Sequence, residues 1–213
     1  MTARIALALA LFAILSSSTA AGTEAGVYLR SESSLSAPAL VAMRAEIDAL
    51  MAQAGYQLKW WTGPNPGRIE ADDLVVLDLY GDCTSVKISK ISREIGATPV
   101  VDHHVLPFSS VNCGVVNRMI RPALLAVKSS KRDQLYGRAL GRVVAHEMYH
   151  ALARTVAHSE SGIAKSKYSA YDLVAERFDF DAAALSHLKK DHPSHSAPST
   201  EAAVVDADSS RNN

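Results

Sequence analysis

The segment His146-Glu147-Met148-Tyr149-His150 places two imidazoles and a carboxylate at the spacing H-E-x-x-H. In an α-helix, residues four apart lie on the same face about one turn apart, so both imidazoles can bind one metal ion. Glu147 is offset to the side of that pair, where its carboxylate can accept a proton from a metal-bound water. The spacing therefore predicts a zinc site with His146 and His150 as ligands and Glu147 as the general base.

A helix must carry the motif if the spacing is to have this meaning. Apolar residues recur at helical intervals through the motif, the last of them Val156, and they predict a helix over residues 132–156. Ser129 and Ser130 precede this helix as candidate N-caps. Asp133 follows Ser130 by three residues, as in a capping box. We therefore expect the motif on one continuous helix with a single core-facing side.

A catalytic zinc ion normally has three protein ligands and an open position for water. His158 lies eight residues after His150, so the chain must leave the helix near Arg154 and fold back before His158 can reach the metal. Glu176 lies on a predicted helix over residues 169–188, which begins with Ser169 and Asp172 as a capping pair. Glu176 shares a face of that helix with apolar residues and could also be drawn inward. The predicted ligand set takes His158 as the third ligand; Glu176 and a site with neither residue are the alternatives.

The N-terminus has the three regions of a cleavable secretory signal. Residues 1–4 contain a basic side chain, residues 5–15 are apolar and residues 16–21 are small, which predicts a signal peptide over residues 1–20. The apolar stretch is too short to span a bilayer comfortably, and no later stretch is longer, so stable membrane insertion is not expected. The mature protein is expected to be secreted or periplasmic.

Cys83 and Cys113 are the only cysteines of the chain. In an oxidising compartment an even pair of cysteines without a C-x-x-C motif predicts a disulfide, here Cys83–Cys113. The formal net charge of the chain is zero, so the composition gives no indication of a nucleic-acid partner.

The remaining chain is long enough for one domain of ordinary size, predicted over residues 21–188. The succession strand, helix, strand, strand in residues 26–81 predicts an α/β sandwich. Residues 98–108 are rich in β-forming residues but contain Pro99, which favours an edge strand. Residues 189–213 are polar and rich in proline and serine, so a disordered tail is predicted there.

Residues 26–180 resemble a zincin, the class of zinc metallopeptidases that carry H-E-x-x-H, and in particular its metzincin-like branch and uncharacterised secreted bacterial proteins with this motif. The longer pattern H-E-x-x-H-x-x-G-x-x-H is matched at its first three fixed positions. Ala153 stands where that pattern has glycine, and His158 comes two residues after the position of the third histidine. No methionine follows Met148, so the methionine turn of the metzincins is absent or replaced.

The resemblance implies a fold of the α/β (α+β) class, with a small twisted mixed sheet packed on the motif helix. An antiparallel edge strand over residues 100–108 would line the cleft, and an extended peptide would pair with it through main-chain hydrogen bonds. Asp102, His103 and His104 would then lie near the cleft. Tyr168 would be a candidate for stabilising the transition state.

The implied function is that of a secreted zinc metalloendopeptidase with one catalytic Zn²⁺ ion and a peptide or protein as its substrate. Glu147 would activate a zinc-bound water and later pass the proton to the leaving amine. The first alternative is a different class of protein, a zinc-binding structural or interaction protein without turnover. Its metal site would be closed by a fourth protein ligand such as Glu176. A hydrolase of peptidoglycan cross-links is the second.

Overall fold

The computed structural model describes residues 22–31, 35–64, 67–84 and 94–190. The predicted signal peptide and the predicted tail beyond residue 190 lie outside these ranges. No helix in the described ranges has the length and apolar character needed to cross a membrane. The elements follow one another as β1 (Thr23–Ser31), α1 (Ala37–Ala52), β2 (Tyr56–Thr62), β3 (Asp73–Tyr80), β4 (Gly96–Ala97), β5 (Val100–Val101), β6 (His104–Val105), β7 (Phe108–Asn112), α2 (Cys113–Ala126), α3 (Ser129–Leu152), α4 (Ala170–Val174) and α5 (Ala182–Lys190).

Five strands form one mixed sheet in the order β2-β1-β3-β7-β4. The first four of these are mutually parallel, and β4 runs antiparallel to β7 at the edge. The inward side chains of the central strands are fully buried, because α1 and α3 cover that face of the sheet. The prediction of a mixed α/β structure is therefore confirmed.

The edge of the sheet differs from the prediction, since residues 100–108 do not form one edge strand. The edge is β4, while β5 and β6 form a separate two-stranded hairpin. Pro99 has no N–H to donate to a neighbouring strand, so the strand pairing of β4 does not continue through it. Asp102 and His103 then adopt positive φ angles of 48° and 65°, which close the hairpin turn.

Helices α1 and α3 approach each other closely where two glycines of α3 lie one turn apart. A Cβ atom on Gly137 would lie 2.2 Å from the carbonyl oxygen of Ala39, and one on Gly141 would lie 2.8 Å from that of Met43. Only residues without a Cβ atom fit at these two positions. The close packing fixes the motif helix against α1, and α3 is buried from Ala139 to its end.

The motif helix ends at Leu152, earlier than predicted, and Val156 is exposed rather than core-facing. The predicted serine N-caps are also wrong. The N-cap is Lys128, which makes no side-chain capping hydrogen bond. The carboxylate of Asp133 instead accepts a hydrogen bond from the Ser36 hydroxyl at 2.7 Å, so a tertiary partner replaces the local cap.

The predicted helix over residues 169–188 is two helices, α4 and α5, joined by a linker. Ala175 has an extended backbone (φ −52°, ψ 153°), which ends α4 after five residues. The predicted capping pair is confirmed: Ser169 and Asp172 form a complete capping box at the start of α4. Glu176 lies in the linker and is exposed.

The predicted disulfide between Cys83 and Cys113 is confirmed. It joins the segment after β3 to the first residue of α2, across a sequence separation of 30. In the chain-entropy model a closed loop of this size stabilises the folded state by roughly 3–4 kcal/mol.

Asp172 makes the stability of the α4 region dependent on pH. Partial burial raises the pKa of its carboxyl, but hydrogen bonds from Lys165 and Ser169 outweigh that effect and lower the pKa below its usual value. A depressed folded-state pKa gives stability that is present above the unfolded-state pKa and is lost as the pH falls through the folded-state pKa.

We therefore expect Asp172→Asn to lower the free energy of unfolding by about 1 kcal/mol at pH 7, because a cap and an ion pair are weakened. The difference from the parent should shrink as the pH falls through the folded-state pKa of Asp172, because its carboxyl is then protonated in both the folded and the unfolded state. Urea denaturation across this pH range measures the effect. An equal loss at both ends of the range would contradict it.

Candidate metal centre

Three histidines predicted from the sequence lie together at the end of the motif helix. His146 and His150 project from one face of α3, and His158 returns to them from the following loop. One ligand nitrogen from each of the three residues lies within 4.8 Å of the others, and this is the one such cluster found among the described residues. The imidazole of His158 lies 5.3 Å from that of His146 and 4.8 Å from that of His150, between ring centroids.

The chain reaches this arrangement because α3 ends in a left-handed residue. Arg154 has a φ of 46°. The N–H of Thr155 donates to the carbonyl of His150, five residues earlier, at 3.2 Å, which is the outer hydrogen bond of a Schellman motif. The predicted reversal near Arg154 is therefore observed. Ala153 has an ordinary φ of −82°. Glycine is not needed at that position, because the positive φ falls one residue later.

The two helical histidines are oriented by main-chain carbonyl groups. Nδ1 of His146 lies 2.8 Å from the oxygen of Ile163, and Nδ1 of His150 lies 2.7 Å from the oxygen of Thr155. A carbonyl oxygen only accepts, so each Nδ1 carries the hydrogen and each neutral ring presents a lone pair at Nε2.

These two Nε2 atoms lie 3.1 Å apart. Two lone pairs at this distance repel each other unless they share a cation. Nitrogen ligands at 2.0–2.1 Å from a tetrahedral zinc ion lie about 3.3 Å apart, so the donor set fits zinc in both chemistry and spacing.

The surroundings keep the helical histidines neutral. Burial lowers the pKa of His146 to about 4; its hydrogen bond to Ile163 opposes this shift, and the charges of His150 and His158 add to it. Burial also lowers the pKa of His150, against the opposing hydrogen bond to Thr155. Neutral imidazole is the form that binds a metal ion, so both rings are in the binding form at neutral pH.

Glu147 is buried beside the histidines and is held by the edge of the sheet. The hydroxyl of Thr98 donates to Oε2 of Glu147 at 2.8 Å, and the Ser109 hydroxyl lies 3.2 Å from that of Thr98. A Cβ atom on Gly96 would lie 2.6 Å from Oε1 of Glu147, so β4 packs directly on the carboxylate. Sequence reasoning did not identify Thr98, Ser109 or Gly96, because the contact arises only when β4 pairs with β7.

The pKa of Glu147 is raised to about 7, mainly by burial. The hydrogen bond from Thr98 lowers it, and the charge of Glu94 raises it further. A carboxylate with a pKa near neutrality can both accept and release a proton at physiological pH, as general acid–base chemistry requires.

Tyr168 supports the histidine cluster through the same carbonyl that orients His146. Its ring packs edge-on against His146 at 5.5 Å between centroids, and its hydroxyl donates to the oxygen of Ile163. Burial raises the pKa of Tyr168 well above its usual range, so the hydroxyl remains a donor. The predicted transition-state role of Tyr168 stays a prediction, since its hydroxyl is directed to the main chain.

Other predicted residues are not brought to the site. Glu176 is exposed in the linker after α4 and is not part of the cluster. Asp102, His103 and His104 are exposed at the turn of the β5–β6 hairpin and do not line the cavity. Nδ1 of His104 lies 2.7 Å from the carbonyl oxygen of Asp102, within the turn itself.

A solvent-accessible cavity of about 590 Å³ contains the three histidines and Glu147. Its walls come from β4, the β5–β6 hairpin, α2 and the loop that follows α3. The candidate metal centre is therefore reachable by a ligand of peptide size.

Comparison with known protein families finds no matching family model. Comparison with curated proteins finds no match either.

Gly162 offers a test of the carbonyl that orients His146. The φ of Gly162 is 67°, and a Cβ atom there would lie 2.4 Å from the carbonyl oxygen of Asp179. Gly162 directly precedes Ile163, so a backbone shift at Gly162 disturbs the Ile163 carbonyl. We expect Gly162→Ala to weaken zinc binding by about 10- to 100-fold, the usual effect of disturbing the group that orients a histidine ligand.

The matched control is Gly67→Ala, because Gly67 has a φ of 70° and nothing lies within 4 Å of the added Cβ. Zinc affinity is measured by competition with a chromophoric chelator, on samples shown to be folded by circular dichroism. Equal affinities of the two variants would contradict the role of the Ile163 carbonyl.

Proposed function

We propose that this protein is a zinc-dependent metallopeptidase in which His146, His150 and His158 hold one zinc ion and Glu147 is the general base. One observation carries the proposal. Two buried imidazoles, each fixed at Nδ1 by a carbonyl, present Nε2 lone pairs 3.1 Å apart in a cavity that also contains a buried carboxylate. Such an arrangement is unfavourable without a cation. It fits a zinc ion that has protein ligands and one coordination position open to solvent.

When bound, a zinc ion polarises the carbonyl of a peptide and lowers the pKa of a water molecule. Glu147 accepts a proton from the attacking water and delivers it to the leaving nitrogen. The peptide C–N bond breaks, a C–O bond forms, and one water is consumed to give a carboxylic acid and an amine. Thr98 holds Oε2 of Glu147 in place for both transfers.

An open site is favoured over a closed structural one. The cluster contains three ligand residues among those that the structure describes, and Glu176, the candidate fourth ligand, is exposed in the linker after α4. Structural zinc sites usually have four protein ligands. Burial of the Glu147 carboxylate is also unfavourable and has no purpose in a structural site.

The position of β4 supports a peptide as the substrate. Gly96 and Ala97 line the cavity, and β4 lies at one edge of the sheet formed by the described residues. An extended peptide can therefore add to this edge through main-chain hydrogen bonds. In this proposal the peptide pairs with β4 rather than with the edge strand that was expected over residues 100–108.

Export of the protein is part of the proposal. The disulfide between Cys83 and Cys113 supports an oxidising compartment, where such bonds persist. The predicted signal peptide over residues 1–20 and a secreted or periplasmic location are consistent with it.

Glu147→Gln separates metal binding from catalysis, because glutamine keeps the shape of the side chain and removes its basicity. We expect the variant to bind zinc with unchanged stoichiometry and to lose peptide hydrolysis by about 10²- to 10⁴-fold. Zinc is measured by elemental analysis, and hydrolysis by mass spectrometry of a peptide library. Undiminished hydrolysis would contradict the role of Glu147.

Thr98→Val tests the group that positions Glu147, with Thr98→Ser as the matched control that keeps the hydroxyl. Loss of a hydrogen bond to a charged group corresponds to about a 10- to 100-fold fall in kcat, with a smaller change in KM. The serine variant should stay close to the parent. If the serine and valine variants lost activity equally, the hydroxyl would have no part in positioning the base.

A further inference from the structure

Helix α2 carries two apolar residues beside its core-facing side that also border the cavity. Val116 and Ile120 are fully buried, as expected of the side packed inward. Val115 and Met119, one turn apart on another face, are half-buried and line the cavity of the metal centre. Helix α2 therefore supplies apolar surface to the cavity as well as to the core.

The β5–β6 hairpin adds a matching surface. Val100 and Val105 are paired directly across its two strands. Residues opposite each other in an antiparallel pair project to the same face, and both valines line the cavity. Val100 nevertheless keeps 45% of its surface exposed. Accessible apolar residues that share one cavity, rather than lying singly on the surface, indicate a binding surface.

The charges of the cavity lie elsewhere. Apart from the metal centre, the charged lining residues in the described part of the chain are Glu94, Lys165 and Lys167. Glu94 precedes β4, the two lysines lie in the loop before α4, and Lys165 is paired with Asp172 at 2.8 Å. None of them belongs to the hairpin or to α2, so the lining residues that these two described elements supply are uncharged.

We propose that the four apolar residues that line the cavity from the hairpin and from α2 form an aliphatic wall. This wall binds a large apolar side chain of the peptide substrate, near the bond that is cleaved. The inference rests on the proposed peptidase function and names its substrate class: peptides with an aliphatic or aromatic residue at one position flanking that bond. Continuity with the metal centre favours this occupant, since one cavity contains both. The wall consists of Val100, Val105, Val115 and Met119.

The methionines allow a binding test that needs no turnover. Met43, Met51 and Met148 are fully buried in the core, whereas Met119 lies on the wall. With ¹³C-methyl-methionine labelling of the mature Glu147→Gln protein, N-acetyl-leucine methylamide should shift the Met119 resonance and leave the three buried methionines unchanged. N-acetyl-aspartate methylamide should leave all four unchanged.

Peptide selection tests the same wall in the active protein. The zinc-loaded parent should cleave library peptides that carry leucine, isoleucine or phenylalanine at one flanking position about 10- to 100-fold faster than those with aspartate there. Met119→Lys should shift the preference toward acidic residues, which a general loss of stability would not do. The matched control is Leu125→Lys, since Leu125 lies on the same helix, is exposed and does not line the cavity.

The two experiments separate the two claims. A Met119 shift with the leucine probe, without cleavage of any peptide, would support the wall and overturn the peptidase. Cleavage without apolar preference, together with an unmoved Met119 resonance, would support the peptidase and overturn the wall. A Met119 resonance that moves with protein concentration in the absence of a probe would also overturn the wall as a substrate site, because the wall would then be a surface for self-association.

Discussion

The site depends on the way that α3 ends. Because Arg154 takes a left-handed conformation, the chain turns back over the last turn of the helix rather than continuing along its axis. The returning segment supplies the Thr155 and Ile163 carbonyls that fix the two helical imidazoles, and it also carries His158. One backbone reversal therefore determines both the orientation of the two helical histidines and the position of the third.

The rest of the fold holds that reversal in place. Arg142 is fully buried one turn before His146, where its guanidinium donates to the carboxylate of Glu46 on α1 and to the carbonyl of Asp172 on α4. Removing one partner of a buried ion pair of this kind typically costs several kcal/mol, since an uncompensated charge remains. Arg142 thus connects the motif helix to the elements on both sides of it.

Local sequence signals predicted the features that lie within a few residues of one another. The spacing of His146 and His150 follows from helix geometry, and the capping box at Ser169 follows from the residues themselves. The approach of His158 depends on where the helix ends, and Arg154 carries no signal for positive φ as glycine would. Glu176 could be excluded from the cluster only once its helix was seen to stop at Ala175.

The edge of the sheet shows the same limit for strands. Residues 98–108 have β-forming composition, but composition does not distinguish a sheet edge from a hairpin that stands apart from it. The two-residue strand β4 is too short to be recognised, although its Gly96 and the adjacent Thr98 contact the carboxylate of Glu147. Contacts between such distant segments are set by strand pairing, which a single sequence does not specify.

The most direct test of the central claim is X-ray absorption at the zinc K-edge of the mature protein loaded with one equivalent of zinc. The site described here predicts three imidazole nitrogens at about 2.0 Å and one further light atom from solvent. Two imidazoles, or a fourth protein ligand that closes the coordination sphere, would contradict an open site of three histidines. Failure of the protein to retain zinc against a weak chelator would contradict the metal centre itself.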